Sequence, residues 1–282
     1  MGDLCLGPEF TDYEERGMVI NMSIHRMTGE KLKNLEGLFA GWEETMIASC
    51  LQGLIGSAWA DNEDNPTSAQ LVVADFCLFA GEPVEELVRN RPAEHKSDFV
   101  IMIPQTEAWG ELIEQMYQQA ANKVTRYAIK KEPGVFDPDK LQTLAEGIGP
   151  EYDLRLIDET IYHQILDHPW SRDMCGHFTD YRQYQDCGLG AAVLHQGEVV
   201  AGASSYTIYK EGIEIEIDTR EDHRRKGLAT ACGARLILEC LKRGLYPSWD
   251  AQNLWSVALA EKLGYHFDKE YTAYEVTSFG LR

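Results

Sequence analysis

Residues 213–241 read IEIEIDTREDHRRKGLATACGARLILECL, and this stretch decides how the rest of the chain is read. Ile213, Ile215 and Ile217 alternate with Glu214, Glu216 and Asp218, the period-two pattern of a strand. Residues 228–241 then carry a helix pattern, and Arg224, Arg225, Lys226, Gly227, Leu228 and Ala229 stand at the handover. The first N–H groups of a helix have no partner within it, and aligned peptide dipoles add partial positive charge there. Such an end binds anions, and Gly227 lets backbone approach a phosphate with no side chain in the way. Three cations at a helix start oppose the dipole, where stability alone would place acids. Ligand phosphates resolve that conflict. The GxxxxGK[ST] and GxGxxG patterns are both absent, so neither a P-loop nor a dinucleotide fingerprint is present.

Working outward, the chain has 282 residues, 44% of them hydrophobic and 26% charged, the balance of a globular protein of one or two domains. A formal net charge of -20 opposes non-specific nucleic-acid binding and favours cationic small molecules at an acidic cleft. No run is long enough to cross a bilayer, and the first residues lack a basic start followed by an apolar core. The cytoplasm is the expected compartment, without nucleic acid or membrane as partner. Seven scattered cysteines form no CxxC pair and read as small buried hydrophobes, so no metal is expected.

Residues 1–22 have no clear period and are read as a lead-in. Residues 23–149 alternate strand and helix patterns and form an accessory α/β domain. In it, 28–51 reads as helix with a break at Gly41, 70–80 as one buried strand, 99–103 as a strand stopped by Pro104, and 107–121 as a helix. A short helix opens at Asp137 or Asp139. Gly147, Gly149 and Pro150 make a linker. Residues 151–282 restart as β-α-β-β-β-α-β-α-β, with a hairpin turning at Gln196, Gly197 and Glu198 and strands at 213–219 and 246–250 joined through a helix, hence parallel. No internal repeat is evident by eye. The fold class is α/β with a mixed sheet.

The turn Arg224-Arg225-Lys226-Gly227-Leu228-Ala229 resembles motif A of the GNAT superfamily, the GCN5-related N-acetyltransferases, whose form is Arg/Gln-x-x-Gly-x-Gly/Ala. Residues 253–265, NLWSVALAEKLGY, resemble its closing motif, at the usual separation. The two-domain layout is similar to a branch that includes the zwittermicin A resistance acetyltransferase. The resemblance implies the acyl-CoA N-acyltransferase fold for 151–282, with acetyl-CoA lying in a V-shaped gap between strands 213–219 and 246–250. It implies that Ile217, Asp218 and Thr219 pair with the pantetheine arm, and that Arg224, Arg225, Lys226, Gly227, Leu228 and Ala229 hold the pyrophosphate. Asn253 would contact the arm beyond the splay while capping the last helix, and Ser256 would reach it too.

N-acetyl transfer needs a neutral amine, so a base must take its proton, and the thioester oxygen needs donors. Three acids on one face of a central strand imply a polar cleft or solvent. Glu216, mid-strand, is the first candidate base and Glu214 the second. A strand bulge decides which of them faces substrate. Family members carry a tyrosine in the last helix that protonates the leaving thiolate. Here that position is Ala260, with Tyr265, Tyr271, Tyr274 or water as substitutes. His163, His168 and His177 fall in the region that lines the acceptor site in the family.

The expected activity is acetyl transfer from acetyl-CoA to a small cationic amine. Protein or peptide acetylation and a non-catalytic acyl-CoA sensor are the alternatives. The accessory domain is read as an acceptor cap, a homodimer contact or a degenerate second transferase half.

Overall fold

A computed structural model describes residues 23–280, so the lead-in expected over 1–22 lies outside the described residues. Two covalent halves repeat one order of elements. The first runs β1 (His25–Met27), a 3-10 helix (Gly29–Leu35), α1 (Thr45–Leu51), β2 (Ser57–Ala60), β3 (Ser68–Val73), β4 (Phe76–Gly81), α2 (Glu85–Arg89), β5 (Val100–Pro104), α3 (Glu107–Tyr117) and β6 (Ala121–Ile129). Helix α4 (Pro138–Glu146) follows, capped by the Asp137 carboxylate on the N–H groups of Asp139 and Lys140 at 3.0 and 3.1 Å.

The second half runs β7 (Tyr152–Leu156), α5 (Glu159–Asp167), α6 (Tyr181–Cys187), β8 (Gly190–His195), β9 (Glu198–Tyr209), β10 (Gly212–Thr219) and α7 (Leu228–Arg243). It continues with β11 (Tyr246–Ser248), β12 (Asp250–Ala251), α8 (Leu254–Leu263) and β13 (Phe267–Val276). The repeat that the residues hide is thus plain in the element order.

The halves have exchanged their last strands. In the first sheet the order is β1-β2-β3-β4-β5-β13-β6-β12, and in the second β11-β10-β9-β8-β7. The far neighbour of β5 is β13 from the second half, and the far neighbour of β12 is β6 from the first, both antiparallel. Strands β6 and β13 also pair with each other from Ala121↔Val276 to Ile129↔Phe267. The strand that closes the chain therefore sits in the sheet of the first half. Neither half completes its own sheet.

Three apolar clusters hold this frame. One lies around α7, with Leu228, Cys232, Leu236 and Ile237 against Ile213 and Ile215. The others cover the two faces of the first sheet, where Trp109 is fully buried. A side chain of that size contributes about 2–3 kcal/mol on burial.

Two local expectations change. The run 70–80 is a hairpin, not one strand, turning at Ala74 (φ 55°) and Asp75. An apolar run broken only by Ala74 and Asp75, with no glycine or proline, gives a weak turn signal, because both strands of this hairpin are buried on both faces. The stretch 28–51 breaks at Gly41 (φ 78°) as expected, but the segment before the break is the 3-10 helix and only α1 after it is an α-helix.

Candidate functional site

The gap begins where two parallel strands part. Pairing of β10 with β11 covers only Gly212↔Tyr246, Ile213↔Pro247 and Glu214↔Ser248. Beyond Glu214, β10 runs on to Thr219 bonded only to β9 on its other edge, while the chain after Ser248 turns through Trp249 to pair with β6. Residues Ile217, Asp218 and Thr219 therefore lie along an open strand edge, and the Asp218 carboxylate accepts from the Thr219 N–H at 2.6 Å. At the same level β9 carries one extra residue, Tyr206, since Glu214 faces Thr207 and Ile215 faces Ser205. The bulge thus belongs to the strand beside β10.

At the end of this edge stands the basic turn. Gly227 caps α7 in the left-handed region (φ 81°), with no side-chain oxygen bonded to the first helical N–H groups. A Cβ built on Gly227 would meet nothing within 4 Å, so the space in front of the helix is open. Arg225 is also left-handed (φ 61°), and Arg224 donates to the Thr219 carbonyl at 3.2 Å. Arg225 and Lys226 are exposed and have no carboxylate partner among the described residues. Leu228 is buried in the core and anchors the turn, and Ala229 is half-buried. Behind it, His223 is wedged between the Tyr152 hydroxyl at its Nδ1 and Arg220, which donates to its Nε2, each at 3.1 Å.

Across the gap, Asn253 caps α8 by accepting from the Ser256 N–H at 3.0 Å. The Ser256 hydroxyl accepts from Trp249 Nε1 at 3.0 Å, which fixes the indole at the fork. Both candidate residues of the closing motif thus stand beside the splay.

The acidic face of β10 turns toward the first half. Glu214 is only 5% exposed, and its Oε2 accepts a hydrogen bond from Thr45 of α1. Its Oε1 is buried without a partner. Burial, then the neighbouring Glu44 carboxylate, push its pKa upward, and Glu44 is raised mainly by burial too. Glu216 is raised to about 8, by burial first and then by Asp218, Asp173 and Asp75, with Arg126 acting in the opposite sense. Asp75, at the β3–β4 turn, is raised to about 6 by burial and by Asp173, and accepts from the Tyr206 hydroxyl of the bulge. Glu214 is buried and Glu216 and Asp218 are half-buried, so this face meets the first half and the cavity beside it more than open solvent.

A cavity of about 840 Å³ opens at the fork. Glu214, Trp249 and Asp250 bound it on one side, and Glu44, Lys131 and Tyr271 lie among its other walls. Asp250 is already compensated: Arg126 Nε donates to it at 2.8 Å and the Tyr271 hydroxyl at 2.7 Å. The Arg126 guanidinium also lies 4.9 Å over the Phe76 ring.

Of the proposed substitutes for the missing tyrosine, Tyr265 is buried with its hydroxyl donating to the Pro247 carbonyl at 2.7 Å. Tyr274 donates to Glu114 at 2.7 Å. Only Tyr271 lines the fork end of the cavity. Ala260 is fully buried in the core. His177 packs edge-on against Tyr206 at 4.4 Å, and burial lowers it to about 4.

The residues that sequence reasoning missed are Glu44, Thr45, Asp75, Arg126 and Lys131. All come from the first half, and Thr45 is 169 positions from its partner. No local spacing reports such a contact, and the strand exchange that delivers Arg126 is visible only in the sheet.

A family model described as GNAT acetyltransferase matches residues 36–274. The uncharacterized N-acetyltransferase YdfB of Bacillus subtilis (strain 168) is 27% identical over 272 residues, covering 89% of this chain and 98% of its own. The crystal structure of a GCN5-related N-acetyltransferase-like protein from Streptococcus suis 89/1591 shares 46% identity and a TM-score of 0.83, covering 88% of this chain and 98% of that one. A tandem GNAT protein from the clavulanic acid biosynthesis pathway, 12% identical with a TM-score of 0.52, shares the fold over 90% of this chain and 98% of its own. With its open fork, basic turn and these relatives, the chain belongs to the GNAT acetyltransferase family and is an N-acetyltransferase of that general kind.

Proposed function

We propose that the protein moves the acetyl group of acetyl-CoA to a primary amine of a small, cationic molecule, by direct attack in a ternary complex. One observation carries this reading: the fork between β10 and β11 meets a deep cavity at Glu214, Trp249 and Asp250. A volume of about 840 Å³ falls in the range of small-molecule sites, which favours an engulfed small acceptor over a protein surface.

The free amides from Arg225 to Ala229 and the cations Arg225 and Lys226 hold the pyrophosphate, and the open edge at Ile217–219 pairs with the pantetheine arm. Asn253 and Ser256 flank that arm across the fork. Glu216, with Glu214, takes the proton that the ammonium must lose. A carboxyl raised to about 8 is well matched to that task near neutral pH. The amine nitrogen then forms a bond to the thioester carbon, the C–S bond breaks, and the sulfur leaves with its electron pair. It takes its proton from water, since the hydroxyls of Tyr265 and Tyr274 are committed elsewhere. The net change is ammonium plus acetyl-CoA to amide, CoA thiol and one proton.

Acetyl-CoA should raise the melting temperature more than NAD or ATP does, because a ligand of the native state stabilises it. Glu216→Gln should slow transfer about a hundredfold or more while leaving acetyl-CoA binding within a factor of about three. Unchanged transfer would remove Glu216 as the base.

A further inference from the structure

The first half brings its own carboxylate to the fork. Glu44 precedes α1, directly before Thr45, whose hydroxyl donates to Glu214 Oε2. Glu44 and Glu214 line the same cavity beside Trp249. Asp250, which lines the same wall as Glu214, is spent on Arg126 and Tyr271. Lys131 is the cation facing both glutamates, and no ion pair joins it to either. The Met46 N–H bonds the Glu44 side chain, and Tyr209, Tyr246 and Tyr265 stand near Glu214 from the second half. One atom is left over: Glu214 Oε1, buried and without a partner. A buried acceptor in that condition destabilises the empty site, and a donor in the cavity would recover the lost hydrogen bond.

We infer that Glu44 of the first half and Glu214 of the second together form the subsite that takes the acceptor's ammonium group. This rests on the transferase reading above and deepens it: the amine is held between the halves, so the acceptor site is incomplete without the first. Both carboxyls line one cavity, burial raises the titration of each, and Glu44 raises that of Glu214 further, so the empty site holds its protons tightly. An entering ammonium donates to Oε1 and to Glu44, and the protons these carboxyls held leave to solvent. The nitrogen then lies beside the fork, where the thioester is presented.

The test uses the full chain with CoA, which cannot transfer, and compares n-butylamine with n-butanol at equal concentration. At ten times its Kd, butylammonium should raise the melting temperature by roughly 3 °C, and butanol should not. The rise should grow from pH 6 to pH 8 as the glutamate pair ionises. Glu44→Gln and Glu214→Gln should each abolish it, Glu44→Asp should keep at least half, and Glu36→Gln, exposed just after the 3-10 helix and outside the cavity lining, should keep all. Butanol acting like butylamine, no butylamine effect in the wild type, or a full effect in Glu44→Gln overturns the assignment. If CoA itself fails to stabilise the wild type, the transferase reading falls instead, and the two failures are told apart.

Discussion

The two halves share an element order, and the difference that bears on the site is the space between their fourth and fifth strands. In the first half β4 and β5 stay paired from Phe76↔Ile101 to Phe79↔Pro104. The turn that follows is Gly81-Glu82-Pro83, and the helix after it has five residues. Gly81 is sealed in: its N–H donates to Gln105 at 3.0 Å, its carbonyl accepts from Trp109 at 2.8 Å, and a Cβ there would meet the Thr67 carbonyl at 2.0 Å. In the second half three residue pairs suffice before the strands part, the turn is basic, and the helix has sixteen residues. Gly227 faces empty space. A transferase fold is therefore not a cofactor site by itself. In the proposed reading the site is the unpaired edge, and the first half has spent that edge on its own sheet.

The largest effect should come from breaking the exchange that ties the halves. Arg126 travels on β6 to reach Asp250 of the other half, and both side chains are about nine-tenths buried. Arg126→Met leaves that carboxylate unpaired, which should cost about 3–5 kcal/mol. A scanning calorimeter should record a fall of roughly 10 °C.

Next in size is the basic turn. Replacing Arg225 and Lys226 together by Ala should raise the Kd for acetyl-CoA about tenfold to a hundredfold, with the melting temperature of the ligand-free protein nearly unchanged. Isothermal titration of the wild type should give one acetyl-CoA per chain. A stoichiometry of two would show that the closed half binds as well, and would break the comparison.

The smallest is a pH slope. Glu216 has a folded pKa of about 8 against an ordinary 4.5, so the native state holds its proton more tightly than the unfolded chain. Its contribution to stability is complete below about 4.5 and is lost as the pH rises through 8. Glu44, Asp75 and Glu214 are shifted in the same direction. The melting temperature should therefore decline from pH 5 to pH 8.5, and Glu216→Gln should decline less steeply and exceed the wild type at the alkaline end. A parallel decline in both would show that Glu216 titrates normally.

Much of the second half was legible because its signals are local. The alternation at 213–218, the glycine of the basic turn and the Asn253 cap each depend on neighbours within a few residues. The first half was read less well. The hairpin of β3 and β4 looked like one strand, since Ala74 and Asp75 interrupt an apolar run without a glycine. The five-residue α2 was missed, and a second transferase-like half stood only as one of three readings, because repeats conserved only in element order leave no periodic residues to count.

By itself, then, the sequence determined that a helix start, a glycine and three cations lie next to one another at 224–228, the place proposed for a phosphate-bearing ligand. It also determined that three acids share one face of β10. What that face meets was decided only by tertiary structure. Glu44, Asp75 and Arg126 arrive from more than 80 residues away, on a helix entry, a turn and an exchanged strand, and their burial against β10 and the fork sets the charge state there. Strand exchange is a matter of which edges remain unpaired once both halves have folded, and no short-range pattern encodes that.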